Sequence, residues 1–228
     1  MAERITIICG AYGSGKTEFA IAYALYLQGA AEHGDPAKVG LVDLDIVNPY
    51  FRSRDVAPDL QRRGLSVVSS EAGMEQADIP ALSPRIFGLL QDHSYRVVFD
   101  VGGDPAGARA LGRFHEYFRN EPYDFWVVVN PFRPDTRNAD QAAALIAGLQ
   151  RTSRLQATGL VANINLGRET TASDWLEGQK MIAALTTAVK LPLIFYAAEE
   201  GFYEANREIF RSCPVFPIKL RMLTPWLV

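Results

Sequence analysis

Short apolar runs rich in β-branched and aromatic residues recur along the chain. They are ITIIC (5–9), VGLVDLD (39–45), LSVVS (65–69), RVVFDV (96–101), FWVVVN (125–130), GLVANIN (159–165), PLIFYAA (192–198) and PVFPIKL (214–220). Most are apolar throughout rather than alternating with polar residues, which is the pattern of strands covered on both faces of a parallel sheet. The prolines of the last run predict an edge position, because proline cannot donate to a strand ladder. Between the runs lie stretches with helical spacing: 16–31, 84–93, 106–118, 135–151, 173–190 and 201–210, with Ser173 or Asp174 as the N-cap of the fifth. Strand and helix alternate to the end. The expected class is α/β, a three-layer, doubly wound, mostly parallel sheet of about seven to eight strands. No linker, repeat or low-complexity stretch interrupts the alternation, so residues 1–228 are expected to form a single domain.

Composition narrows the function classes. The chain has 228 residues and is 48% hydrophobic, enough to bury a sizeable core. A net charge of −3 gives no overall basic field, which counts against nucleic acid as a partner. Cys9 and Cys213 do not make a disulfide framework, and both read as small buried apolar residues. His33, His93 and His115 are scattered, and no Cys/His cluster has metal-ligand spacing. Trp126, Trp175 and Trp226 are dispersed and read as packing residues. The opening MAERITIICG lacks a charged region followed by an apolar stretch and a cleavage site. No apolar run approaches the roughly 18 residues that span a bilayer. The cytosol is the expected compartment, with no membrane partner.

The strongest chemical signal is Gly10-Ala11-Tyr12-Gly13-Ser14-Gly15-Lys16-Thr17, which matches G-x-x-x-x-G-K-[ST] between an apolar run and a helical stretch. Glycines let such a loop curl until its backbone N–H groups point inward at phosphate oxygens. The helix N-terminus, here reaching Glu18, adds partial positive charge. Lys16 would neutralise the β/γ oxygens and the Thr17 hydroxyl would hold Mg²⁺. A nucleotide site of this kind also needs a metal-holding acid and a group that handles the attacking nucleophile. RVVFDVGGD ends a buried run in Asp100, which could hold Mg²⁺ through a water, and Gly102 and Gly103 would let the backbone approach the γ-phosphate. VGLVDLD carries Asp43 and Asp45, placed on one face of their strand by its period of two. One of them would sit near Mg²⁺ and the other would address the attacking water or acceptor. NPYFRSRD (48–55) follows, dense in aromatic and cationic residues, and reads as a switch loop or a substrate-gripping loop.

In this order the motifs resemble the signal-recognition, MinD and BioD class of P-loop proteins, and within it the MinD/ParA/CobQ–CobB-like ATPases. The resemblance covers nearly the whole chain in motif order and length. It implies that Lys16 and Thr17 are the loop lysine and the Mg²⁺ ligand. It further implies that Asp45 orients the attacking water, that Asp43 supports it near the metal, and that Asp100 and Gly103 form the γ-phosphate-sensing switch. Asn163 matches the asparagine that contacts the base, with Asn165 as the second candidate. The sequence there does not read N-K-x-D, the usual guanine signal, so the implied cofactors are ATP and Mg²⁺. Two departures stand out. Ala11 occupies the position of the signature lysine that ParA-like dimers extend to a partner's nucleotide, although an arginine such as Arg52, Arg54 or Arg109 could substitute. The C-terminal KLRMLTPWLV, with Pro225 inside it, is too short for a membrane-binding amphipathic helix.

The implied function is an Mg-dependent ATPase that acts as a nucleotide-dependent switch, or as an assembly or maturation factor, read by a protein partner or a second copy of the chain. The alternative is a small-molecule enzyme of the dethiobiotin synthetase or CobQ/CobB type, with Arg52 and Arg54 holding a carboxylate that accepts the γ-phosphate. A nucleic-acid-binding partitioning protein is disfavoured by the acidic balance and the missing lysine.

Overall fold

The computed structural model describes residues 3–32, 38–45, 56–69 and 83–221. Loop 48–55 with Arg52 and Arg54 lies outside the described residues, as do His33, Pro225 and Trp226. The strands are β1 (Ile5–Gly10), β2 (Lys38–Leu44), β3 (Ser66–Ser69), β4 (Tyr95–Gly102), β5 (Tyr123–Val129), β6 (Gly159–Ala162), β7 (Leu193–Glu199) and β8 (Val215–Ile218). They form one eight-stranded parallel sheet in the order β3-β2-β4-β1-β5-β6-β7-β8. The helices are α1 (Lys16–Glu32), α2 (Ala57–Arg62), α3 (Pro84–Gln91), α4 (Pro105–Gly112), α5 (His115–Arg119), α6 (Ala139–Ser153), α7 (Ala172–Val189) and α8 (Glu200–Ala205). Strand and helix alternate as the apolar pattern predicts, and β8 occupies the sheet edge that its prolines require, with Pro217 exposed.

Two cores sandwich the sheet. Ile8, Leu41, Val98, Trp126 and Val128 face α1 and α2, packing on Phe19, Tyr23 and Leu60. Ile7, Val42, Phe99, Val101 and Val127 face the other way, onto α3 to α7. Strand β1 is buried at every position, which is why its sequence is apolar without alternation. Trp126 and Trp175 are core residues, and Trp175 stacks edge-on against Phe210 with ring centroids 4.5 Å apart. Cys9 is buried, but Cys213 is only half-buried and its Sγ accepts from Gln179 Nε2 at 3.3 Å. Its environment is polar on one side, unlike the wholly apolar packing expected for it.

Several elements differ from the sequence reading. The helix expected over 106–118 is broken in two after Gly112, because Phe114 turns inward between Phe87, Phe99 and Phe118. The helix expected from 135 starts at Ala139, where the Asn138 side chain accepts from Gln141 N at 2.9 Å. Helix α2 is too short to show a period in the sequence. The cap of α7 is Thr171, neither Ser173 nor Asp174: the Thr171 hydroxyl accepts from Asp174 N, and the Asp174 carboxylate accepts from Thr171 N. Replacing Thr171 by Ala is therefore expected to cost about 1 kcal/mol, while Ser173→Ala stays within roughly 0.5 kcal/mol. Urea unfolding of both variants checks this, and equal losses would contradict the assigned cap.

Candidate functional site

Strands β4 and β5 follow one another in sequence but lie on either side of β1. The direction of winding reverses there, and the strand ends around such a point leave a crevice for a ligand. The segment from Gly10 to Thr17 crosses this crevice. It leaves β1 at Gly10, turns through a hydrogen bond from Ser14 N to Ala11 O (3.1 Å), and enters α1 at Lys16. Gly15 has φ of +84°, and a Cβ on it would lie 2.1 Å from Asn163 Nδ2, so both the backbone angle and the space demand glycine. Ala11, Ser14, Lys16 and Thr17 are buried, whereas Tyr12 projects with 64% of its surface exposed.

The acids converge here. Parallel register aligns Ile8 of β1, Asp100 of β4 and Asp43 of β2, so Asp43 and Asp100 are lateral neighbours on the face that α1 covers. Asp45 follows two residues beyond Asp43, and its backbone N–H donates to Asp43 Oδ1 at 3.0 Å. Its carboxylate meets Lys16, with Nζ to Oδ2 at 2.8 Å and both side chains almost wholly buried. Burial opposes the charge on Lys16, but Asp100 and Asp45 outweigh it and hold the ammonium above the ordinary lysine range. Burial pushes the Asp100 carboxyl up to about 7; Lys16 pulls it down, Asp43 and Asp45 push it further up, and the nearby Thr17 hydroxyl favours the charged form. Neither Asp100 oxygen makes a hydrogen bond of ordinary geometry. The Cys9 thiol, buried beneath the loop, is pushed up to about 12 and stays neutral.

The segment after β4 packs directly on the loop. A Cβ on Gly103 would lie 2.2 Å from Gly10 O and 2.8 Å from Ala11 N, and one on Gly102 would lie 3.0 Å from Asp45 Oδ1. Asp104 then caps α4, accepting from Ala106 N and Gly107 N at 2.7 and 3.0 Å. The structure thus brings together Gly10 to Thr17, Asp43, Asp45, Asp100, Gly103 and Asn163. Asn163 lies against the loop, its Nδ2 donating to Ser14 O at 2.7 Å. Asn165 spends its side chain on the following turn, accepting from Gly167 N at 2.6 Å. The Glu18 carboxylate accepts from Arg221 N at 3.1 Å, beyond β8. Arg109 is exposed on α4. Arg133 was not among the sequence candidates; its Nε donates to Gly13 O at 2.9 Å. No local motif announces it, since it reaches the loop from 120 residues away.

Among the described residues, no three of His, Cys, Asp and Glu converge closely enough to form a metal cage by themselves. The donors present, a threonine hydroxyl and a buried carboxylate without a hydrogen bond, suit a hard cation that keeps most of its ligands as water and phosphate oxygen. Mg²⁺ fits that description. No helix among the described residues is long and apolar enough to cross a membrane.

Asp100 carries a consequence for pH. The folded state keeps its proton up to about pH 7, whereas an unperturbed aspartate loses it near 3.8. Between those values the native state binds more protons than the unfolded one, so this group makes stability fall as pH rises, and the cost is complete above about 7. In metal-free, nucleotide-free protein, Asp100→Asn should therefore gain stability over wild type steadily between about pH 4 and pH 7 and level off above. Denaturant midpoints across that range test it, and a constant difference would contradict the shift.

No protein-family model matches the chain, and no curated protein matches it. Its fold is similar to several solved structures. Chloroplast FtsY from Physcomitrella patens superposes with a TM-score of 0.57 at 16% identity, covering 89% of this chain and 60% of that one. The cell division protein FtsY from Thermotoga maritima gives 0.55 at 16% identity, covering 86% and 62%. The signal recognition particle receptor FtsY from Elizabethkingia anophelis, in complex with GDP, gives 0.51 at 13%, covering 85% and 56%. The chain thus spans less than two thirds of each of these structures, and at such identities the likeness is one of fold.

Proposed function

We propose that the chain is a single nucleotide-binding domain that takes Mg–ATP on the 10–17 loop, hydrolyses it slowly, and acts in the cytosol as a switch read by a protein partner or a second copy. The observation that carries this reading is a buried lysine facing a buried aspartate, with two further acids beside them, at the mouth of a loop shaped for phosphate. Among the described residues, Asp45 and Asp100 bring carboxylate oxygens up to Lys16 at the loop, and a divalent cation arriving with the nucleotide would find its protein donors there. Thr17 and Asp100, with Asp45 beside them, are the groups to hold that cation, and it supplies charge neutralisation at the β and γ oxygens. Lys16 turns from Asp45 to the phosphates. Asp45, so released, orients the attacking water and accepts its proton, with Asp43 fixing the Asp45 backbone.

Adenine is favoured over guanine because the strand end reads Asn163-Ile164-Asn165-Leu166. The exposed Leu166 offers no carboxylate to pair with the N–H edge of guanine. The contact of Gly103 with Gly10 supports a switch, since a phosphate arriving at the loop presses on the segment after β4. Exposed Tyr12 and Arg109 give a partner a surface beside that segment.

Titration with a fluorescent ATP analogue and a phosphate-release assay test the proposal. Wild type should bind Mg–ATP in preference to Mg–GTP. Lys16→Ala should weaken binding about 100-fold, and Asp45→Asn should keep binding while hydrolysis falls on the order of a hundredfold. Undiminished binding by Lys16→Ala would sink the nucleotide reading, and undiminished hydrolysis by Asp45→Asn would remove Asp45 from its role.

A further inference from the structure

Two consecutive carbonyls at the crown of the loop are held from outside. Arg133 Nε donates to Gly13 O at 2.9 Å, and Asn163 Nδ2 donates to Ser14 O at 2.7 Å. A loop that turns its N–H groups in toward an anion must turn carbonyls out, and an outward carbonyl keeps its direction only if something binds it. The crown is otherwise permissive, with Gly13 at φ +72° and Gly15 at φ +84°.

The two side chains that grip it come from separate strands and are joined behind it. Arg133 follows β5 and Asn163 follows β6, and buried Asn130 ties the two strand ends together. Its Nδ2 donates to Asn165 O at 2.9 Å, and its Oδ1 accepts from Phe132 N at 3.0 Å. Its own carbonyl accepts from Arg133 N at 3.1 Å and from the buried Thr136 hydroxyl at 2.6 Å. Thr136 N in turn donates to Arg133 O at 3.0 Å. The Arg133 backbone is thus fixed on both sides before its side chain reaches the loop. The Arg133 side chain passes close over Gly13: its Nε, Cδ and Cζ stand 3.1 to 3.4 Å from where a Cβ would be.

We propose that Arg133 is a positioning residue which, with Asn163, sets the crown of the loop in its phosphate-receiving shape before nucleotide arrives. This rests on the reading of the loop as a nucleotide site. Holding the carbonyls removes from the binding step the ordering that a loose, glycine-rich loop would otherwise require. The grip acts through the crown rather than on the terminal phosphate, so it serves diphosphate and triphosphate alike. A guanidinium suits the task because its Nε–H donates from a rigid, planar group, whereas an ammonium is a point donor on a flexible stem.

The test is nucleotide titration and dissociation kinetics on the full chain for wild type, Arg133→Ala and Arg133→Lys, each with Mg–ADP and Mg–ATP, beside thermal midpoints without nucleotide. Arg133→Ala should weaken both nucleotides equally, about tenfold, the effect of one hydrogen bond from a charged donor. The loss should appear as faster dissociation with the nucleotide-free midpoint unchanged, and Arg133→Lys should recover part of it. A loss confined to Mg–ATP would overturn the proposal in favour of direct contact with the γ-phosphate. A lowered midpoint with no recovery in Arg133→Lys would make the residue a support of the fold instead. Unaltered binding by Arg133→Ala alongside a wild type that binds would sink the clamp alone. A wild type that binds neither nucleotide would sink the nucleotide reading and the clamp with it.

Discussion

The ion pair between Lys16 and Asp45 is the constraint around which the rest of the crevice is arranged. Two charges almost wholly out of water are costly, and their attraction repays that cost only in good geometry; removing one partner of such a pair typically costs about 3–5 kcal/mol. The geometry comes from the sheet. Parallel register sets Asp100 and Asp43 side by side, β1 delivers the loop to the same end, and α1 seals the face above. Burial raises the Asp100 carboxyl to about 7, while Asp100 and Asp45 hold Lys16 in its charged form against its own burial. Under the proposed function, a phosphate entering the loop would compete with Asp45 for the same ammonium, so that filling the site and freeing the acid would be one event.

Under the same proposal that exchange would be felt beyond the lysine, because the segments around the loop approach one another closely at glycines. The turn after β4 rests on Gly10 and Ala11 at Gly103, and on the Asp45 carboxylate at Gly102. Gly107 in α4 approaches Gly102 O just as closely. At Gly103 and Gly107, where the neighbours are backbone atoms, no side chain stands between the segments to absorb a displacement by changing rotamer. Under the proposed switch, a shift of the crown would be passed to the start of α4, whose cap Asp104 follows Gly103 directly.

Much of this was legible in the sequence, for reasons that also explain what was not. Strands covered on both faces carry apolar runs without alternation, so β1, β4 and β5 stand out. The Gly10 to Thr17 loop and the strand-ending Asp43, Asp45 and Asp100 are readable because their spacing is local. Helix boundaries are decided by competition: Thr171 captures α7 two residues before the apolar period begins, and Phe114 breaks α4 from α5 because the core gains more from its ring than the helix loses. The grip of Arg133 and Asn163 on the loop depends on which strand ends the sheet places beside β1, and no window of the sequence contains that information. The role of loop 48–55, read from its aromatic and cationic residues, falls outside the described structure.

The edge formed by β8 has one more effect. Pro214 O accepts from Tyr196 N, so the backbone groups of alternate residues face β7 and those of Val215 and Pro217 face outward. Pro217 therefore stands where the open edge would offer an N–H, and it has none to give. A ninth strand from another molecule would find a gap in the ladder at the centre of a four-residue template. Proteins blunt exposed edges in this way to resist fibrous self-association, and here the protection lies at the far end of the sheet from β3, outside the crevice, where it places no demand on the candidate site.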